Sequence, residues 1–237
     1  MSLKSVIKMV GCVLVVASVY GFANYRFSQR KVKEVKVLFT DDKALFIGEK
    51  NVNKLLIQNY DSVNNLTIEK LDLNRGELDL VNNPMISNAE VSVSLDGEIL
   101  AVIDQRQPIA RLVGSDHQYL DADNELMPLS MEHTAFVPLV YGFKNTYQNQ
   151  VFKLINYIND DAFLQPAVTQ LKLDNNGNVS FKVRVHDYDV KLGTVEQLDQ
   201  KMTNYKAFIA KMNKDQRLDQ VKTIDLRYNN QVISIKK

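Results

Sequence analysis

Leu171-Lys-Leu-Asp-Asn-Asn-Gly-Asn-Val-Ser-Phe-Lys-Val-Arg-Val185 carries apolar side chains at Leu171 and Leu173, then at Val179, Phe181, Val183 and Val185, with Asn176-Gly177 between the runs. A period of two is the signature of a strand with one buried face. Asn-Gly is the dipeptide that reverses such a strand, because a tight hairpin turn needs positive φ at its centre. The stretch predicts a β-hairpin.

On its N-terminal side, Val151, Leu154, Ile155 and Ile158 recur at i, i+3, i+4 and i+7 and predict an amphipathic helix over 148–159. On its C-terminal side, Thr194 with Gln197 three residues later reads as a capping box. Leu198, Met202, Tyr205, Ile209 and Met212 then form one apolar face that calls for a sheet to pack against. Ile224 and Leu226 alternate up to Asn229-Asn230, and Ile233 and Ile235 follow, so the chain is expected to finish as a strand at a sheet edge. Further back, Ile109–Val113, Gln118–Leu120 and Phe136–Tyr141 are short apolar pieces separated by turn residues, read as strands.

The preceding region is organised differently. Val35, Val37 and Phe39 alternate within residues 32–39, a first strand. Val52, Leu55 and Leu56 give a helical stripe, and Leu73, Leu80 and Val81 a second helix, although Gly76 inside it costs up to about 1 kcal/mol relative to alanine. Val91, Val93 and Leu95 lead to Asp96-Gly97, and Ile99–Ile103 returns from it. The expected order is strand, helix, helix, strand, strand.

At the N-terminus, the segment from Met9 to Tyr25 holds 17 uncharged residues, about 25 Å of helix; including Lys8, which can snorkel, the apolar stretch starts at Val6 and comes close to the roughly 30 Å of a bilayer core. It reads as a membrane anchor. Gly21-Phe22-Ala23 also leaves open a cleaved signal peptide, whereas Met9-Val10-Gly11-Cys12 has too little apolar sequence before it for a lipoprotein box. Lys4 and Lys8 on one side against Arg26, Arg30, Lys31 and Lys33 on the other would, by charge alone, leave the body in the cytoplasm.

Composition excludes several functions. Without residues 1–23 the net charge changes from +1 to −1, so no basic field attracts nucleic acid. The one cysteine, Cys12, lies in the apolar stretch, leaving the body without disulfides, zinc thiolates or a cysteine nucleophile. His117, His133 and His186 have no metal-ligand spacing and read as solvated or edge histidines. Asp121-Ala-Asp-Asn-Glu125 with Glu132 imitates a calcium loop, but Leu126 stands where glycine must turn the chain, so it reads as a solvated hairpin turn. No phosphate loop or nucleophile elbow is present, and neither catalytic residues nor a cofactor or metal site is assigned. Asn65-Leu66-Thr67 and Asn178-Val179-Ser180 match a glycosylation pattern short enough to arise by chance.

Asn83-Pro-Met-Ile-Ser-Asn-Ala-Glu-Val91, Gln105-Arg-Gln-Pro-Ile-Ala110 and Ile224-Asp-Leu-Arg-Tyr228, the last following a Lys191-Leu192-Gly193 turn and the long helix, occur in the order found in the bacterial cell-division proteins FtsQ and DivIB. The chain resembles that family over essentially its whole length. Gln105 replaces the usual acid of the Glu-Arg-x-Pro-x-Ala junction, and the basic tail is shorter than usual. The resemblance implies an α+β architecture: tail 1–8, transmembrane helix 9–25, linker 26–31, a POTRA-like β-α-α-β-β module over 32–107 and a strand-rich β domain with amphipathic helices over 108–237. It implies a non-enzymatic scaffold of the division complex in the inner membrane at the septum, with its body in the periplasm. The expected partners are the small bitopic proteins FtsB and FtsL; the alternative is a POTRA-containing component of secretion or outer-membrane assembly.

Strand addition at the last strand is the expected binding mode, with Val232, Ile233, Ser234 and Ile235 supplying the edge. Arg227 and Tyr228 match the family's contact positions, a planar fork for a carboxylate and a rigid amphipathic ring. Arg106 is a further interface candidate that could instead bridge the two domains, while Ile224 and Leu226 are expected in the core.

Overall fold

The computed structural model describes residues 3–28, 30–41, 46–57, 67, 71–94, 96–114, 117–228 and 231–237. Asn65-Leu66 and the Asn229-Asn230 turn lie outside the described residues. The chain divides into two compact units, Met1–Gln105 and Arg106–Lys237.

The first unit opens with α1 (Leu3–Ser28), whose segment Lys8–Arg26 is long and apolar enough to cross a membrane and has none of its surface buried in protein. Strand β1 (Glu34–Phe39), helices α2 (Glu49–Ile57) and α3 (Leu73–Val81), and strands β2 (Ile86–Val93) and β3 (Glu98–Gln105) follow, in the expected order. The sheet order is β1-β3-β2, with β1 parallel and β2 antiparallel to β3. Asp72 caps α3 by accepting from Arg75 N. Ile99, Ala101 and Ile103 of β3 pack with Ala89 and Val91 of β2 under Val52, Leu56 and Leu80 of the two helices. A register shift between Ile86 and Asn88 lets Ile86 join the same face, as a bulge does by adding one residue to a period of two. Gln105 accepts from Phe46 N (2.7 Å) and Ile47 N (3.1 Å) and so ties the connection after β1 to the end of β3.

The second unit is a sheet that includes, among the described residues, nine strands: β4 (Pro108–Val113), β5 (Gln118–Asp121), β6 (Leu126–Pro128), β7 (Leu139–Tyr141), β8 (Val168–Leu173), β9 (Val179–Val183), β10 (Asp189–Gly193), β11 (Val221–Asp225) and β12 (Ile233–Lys236), in the spatial order β12-β11-β10-β9-β8-β7-β4-β5-β6. Helix α4 (Gln148–Asn159) has the expected bounds, and Val151, Leu154, Ile155 and Ile158 are all buried. With Leu198, Met202, Tyr205 and Ile209 of α5 (Leu198–Lys214) they cover Val140, Leu171, Phe181, Val190 and Ile224 of the sheet. Each such side chain contributes about 1.5–3 kcal/mol when fully buried. The Tyr205 ring meets Phe181 edge to face at 5.5 Å, and its hydroxyl shares a 2.9 Å hydrogen bond with that of Tyr188.

Four local expectations are corrected. Lys191–Gly193 is no turn: it belongs to β10, which pairs with β9 on one side and, in parallel, with β11 on the other. The Thr194–Gln197 capping box does not form, because α5 starts only after Gln197, which sits in the left-handed region (φ 53°) and makes no side-chain cap. Lys201 holds that turn instead, its Nζ donating to Leu192 O (3.1 Å) and Thr194 O (2.7 Å) in surroundings whose burial pushes the ammonium pKa down. Strand β9 stops at Val183 and leaves Val185 exposed, and Phe136 is fully exposed ahead of the three-residue β7. The fourth concerns Asp121, which is completely buried rather than solvated: Oδ2 accepts from Arg106 Nη1 at 2.8 Å and Oδ1 from Asp123 N and Glu125 N.

Candidate partner-binding edge

The alternation that makes β11 a strand points Ile224 into the helix-covered core and Asp225 to the opposite, open face. Leu226, just beyond the strand, is buried again. Leu226 N donates to Lys191 O, prolonging the β10–β11 pairing by one bond. Strand β12 then runs antiparallel to β11, with Asp225 opposite Ile233, Ile224 opposite Ser234 and Thr223 opposite Ile235. Directly paired residues share a face. Ile233 and Ile235 therefore belong to the open face, where they are 42% and 52% exposed, and Ser234 to the helix side, where it is also exposed. Beyond β12 the sheet has no further strand among the described residues. Lys237 N donates to Gln220 O and pins its end.

Arg227 folds back over this face. Its Nε donates to both Asp225 oxygens (2.9 and 3.1 Å), Nη2 to Oδ2 (2.6 Å), and the Arg227 backbone N to Oδ1 (3.1 Å). Two residues apart on extended backbone, the pair lies on one side of the chain. Those hydrogen bonds hold the Asp225 carboxyl below its ordinary range, and the carboxylate in turn raises the Arg227 guanidinium. The arginine stem crosses Gly193, whose φ is +74° and where a Cβ would stand 2.9 Å from Arg227 Cγ. Glycine is required there on both counts.

A cleft of about 310 Å³ opens beside the arginine, lined by Lys172, Asp174, Asn178, Ser180, Lys191 and Arg227. Lys172 and Lys191 face Ser180 from the strands on either side in one cross-strand row, which continues through Asp225 to Ile233. The next row on this face runs Gln170, Lys182, Asp189, Thr223 and Ile235. Four cations thus stand with three acids, Asp225 committed to Arg227, Asp189 to Lys182 (3.7 Å) and Asp174 to Asn178 of its own turn. The surface offers an unpaired strand edge, two exposed isoleucines and surplus positive charge.

Of the residues singled out in the sequence, Arg227, Tyr228, Val232, Ile233, Ser234 and Ile235 converge on this edge. Tyr228 is half exposed, and Val232 is partly buried against the core. Arg106 stands apart, its guanidinium engaged by Asp121 of β5 near the far end of the sheet. Asp225, Gly193, Lys172 and Lys191 complete the site without having been singled out as site residues in the sequence. The i, i+2 spacing of Asp225 and Arg227 was a signal for the first; the lysines are joined only by pairing. Among the described residues no group of His, Cys, Asp and Glu is arranged to hold a metal ion.

Residues 107–235, more than half of the chain, match the family model described as FtsQ/DivIB, C-terminal related. No curated protein matches the chain.

Proposed function

Since the chain belongs to the FtsQ/DivIB C-terminal related family, a family of non-enzymatic cell-division proteins, we propose that it is a bitopic scaffold of the bacterial division complex that binds FtsB- and FtsL-type partners by strand addition at β12. The observation that carries this reading is the edge itself: β12 is exposed along its whole length and, among the described residues, ends the sheet. A partner strand laid beside it satisfies unpaired N–H and C=O groups, and alternate side chains set specificity. Ile233 and Ile235 supply apolar contact on the open face, while Arg227, Lys172 and Lys191 receive a partner carboxylate in the adjoining cleft. Asp225 pre-aligns the guanidinium, which lowers the entropy lost on binding.

In this reading α1 is retained as a single-pass anchor in the inner membrane, the body lies in the periplasm, and the complex acts at the septum. The β-α-α-β-β unit serves as a POTRA-type module, with the domains running over 32–107 and 108–237. Arg106 then acts inside its own unit, as the clamp on the β5–β6 turn. The test is a chain ending at Asn230 expressed with its partners. Co-purification of FtsB- and FtsL-type proteins is expected to be lost while residues 32–107 remain folded; retained co-purification overturns strand addition at this edge.

A further inference from the structure

The three-stranded sheet of the first unit has a second face that the helices do not cover. Register places on it Glu34, Lys36 and Leu38 from β1, Glu98, Leu100, Val102 and Asp104 from β3, and Asn88, Glu90 and Ser92 from β2. Leu38 stands opposite Val102 and Val102 opposite Glu90, while Leu100 lies between Lys36 and Ser92. The middle of the face is therefore an apolar group, Leu38, Val102 and Leu100, with Leu38 54% exposed.

Its charge is one-sided. Lys36 is the grid's cation, and it is held by Glu34 (3.2 Å) and Glu98 (3.0 Å). Lys31 and Lys33 precede β1 at that same end. At the other end Glu90 and Asp104 flank Leu38 and Val102 with no ion pair among the described residues. An apolar strip beside uncompensated carboxylates is complementary to a surface that is apolar in the middle and cationic at its margin. The outer strands lie about 10 Å apart, two strand spacings, which matches the roughly 10–12 Å diameter of an α-helix. An anionic membrane leaflet is repelled by the same carboxylates.

We propose that this face docks a cationic amphipathic helix of a partner protein, its apolar stripe on Leu38, Leu100 and Val102 and its Lys or Arg residues against Glu90 and Asp104. The site lies in a different unit from the β12 edge and stands or falls independently of strand addition there.

The test uses the full chain in phosphatidylcholine nanodiscs with methyl-labelled Leu, Val and Ile. The probe is a synthetic Leu/Lys amphipathic helix of about 18 residues, five turns, and the control is its Glu-for-Lys counterpart. The Lys peptide is expected to shift the methyls of Leu38, Leu100 and Val102 and to leave Ile233 and Ile235 unmoved, and the Glu peptide to bind at least ~10-fold more weakly. Glu90→Lys with Asp104→Lys, and separately Leu38→Ser, are each expected to weaken binding ~10-fold or more, with unshifted Ile99 and Ile103 methyls reporting an intact fold. The neutralising pair Glu90→Gln and Asp104→Asn replaces the lysine pair if that fold is disturbed. Equal binding of both peptides, unchanged affinity in the variants, or a wild-type chain that already covers this face by self-association in sedimentation overturns the proposal.

Discussion

Strands β11 and β12 are neighbours with nearly the same apolar pattern, Ile224 and Leu226 in and after one, Ile233 and Ile235 in the other, yet their burial is opposite. Ile224 and Leu226 are 0% and 2% exposed, Ile233 and Ile235 42% and 52%. The antiparallel register accounts for it, since pairing Ile224 with Ser234 sends both isoleucines of β12 to the face opposite the one that α4 and α5 cover. A period of two specifies a strand and says nothing about which face is wet. Two half-exposed isoleucines at a sheet edge are apolar area that the proposed partner strand would cover.

The sharpest way to break this contrast is to truncate each side. Ile224→Ala removes a fully buried side chain under the helices and is expected to cost about 2–5 kcal/mol in urea unfolding. A loss below about 1 kcal/mol would mean that the helix-covered face is not the core.

Next in size comes Arg227→Ala, which leaves the nearly buried Asp225 carboxylate without its main donors. A loss of about 1–3 kcal/mol is expected, toward the lower end because the outer half of the arginine is in solvent and screened. Asp225→Ala in that background should recover part of the loss.

The same pair gives a pH dependence. Arg227 holds the carboxyl of Asp225 below its ordinary 3.8, so the stability it contributes is complete above about pH 5 and disappears as the pH falls through that lowered value. Carbon-detected titration should place Asp225 below 3.8 in the wild type and move it upward in Arg227→Ala. An unmoved titration would show that the arginine does not set it.

Gly193→Ala tests the support under the arginine. At φ +74° with Arg227 Cγ in the way of a Cβ, it is expected to cost about 1–2 kcal/mol and to weaken partner capture through a displaced Arg227. The smallest effect on folding belongs to Ile235→Ser, within about 0.5 kcal/mol of the wild type, although it should lose partner capture. A large stability loss there would make β12 core rather than interface.

How much was legible follows the range of the interactions. Helix α4 and the hairpins around Gly97 and Gly177 depend on residues a few positions apart, and the sequence showed them. Lys191–Gly193 and the short β7 read as turn or misplaced strand because much of their pairing is distant: β10 has a nearby antiparallel partner in β9 but lies parallel to the remote β11 on its other side, and β7 lies between β4 and β8, both parallel to it. Parallel neighbours leave no turn signature between them. The candidate site divides the same way. Arg227, Tyr228 and the β12 residues were legible as a terminal motif, and Asp225, two residues from Arg227, lay within reach of the same local spacing, whereas the Lys172–Ser180–Lys191 row exists only through pairing across three strands.

Taken alone, the sequence determined an N-terminal helix long and apolar enough to cross a membrane, holding the one cysteine, ahead of an α+β body, and it showed which of that body's segments are strands and which are helices for the most part. The tertiary structure decided which face of each strand is buried, which strand stays unpaired, and where the surplus charges meet, because those depend on register and parallel contacts between residues far apart in the chain.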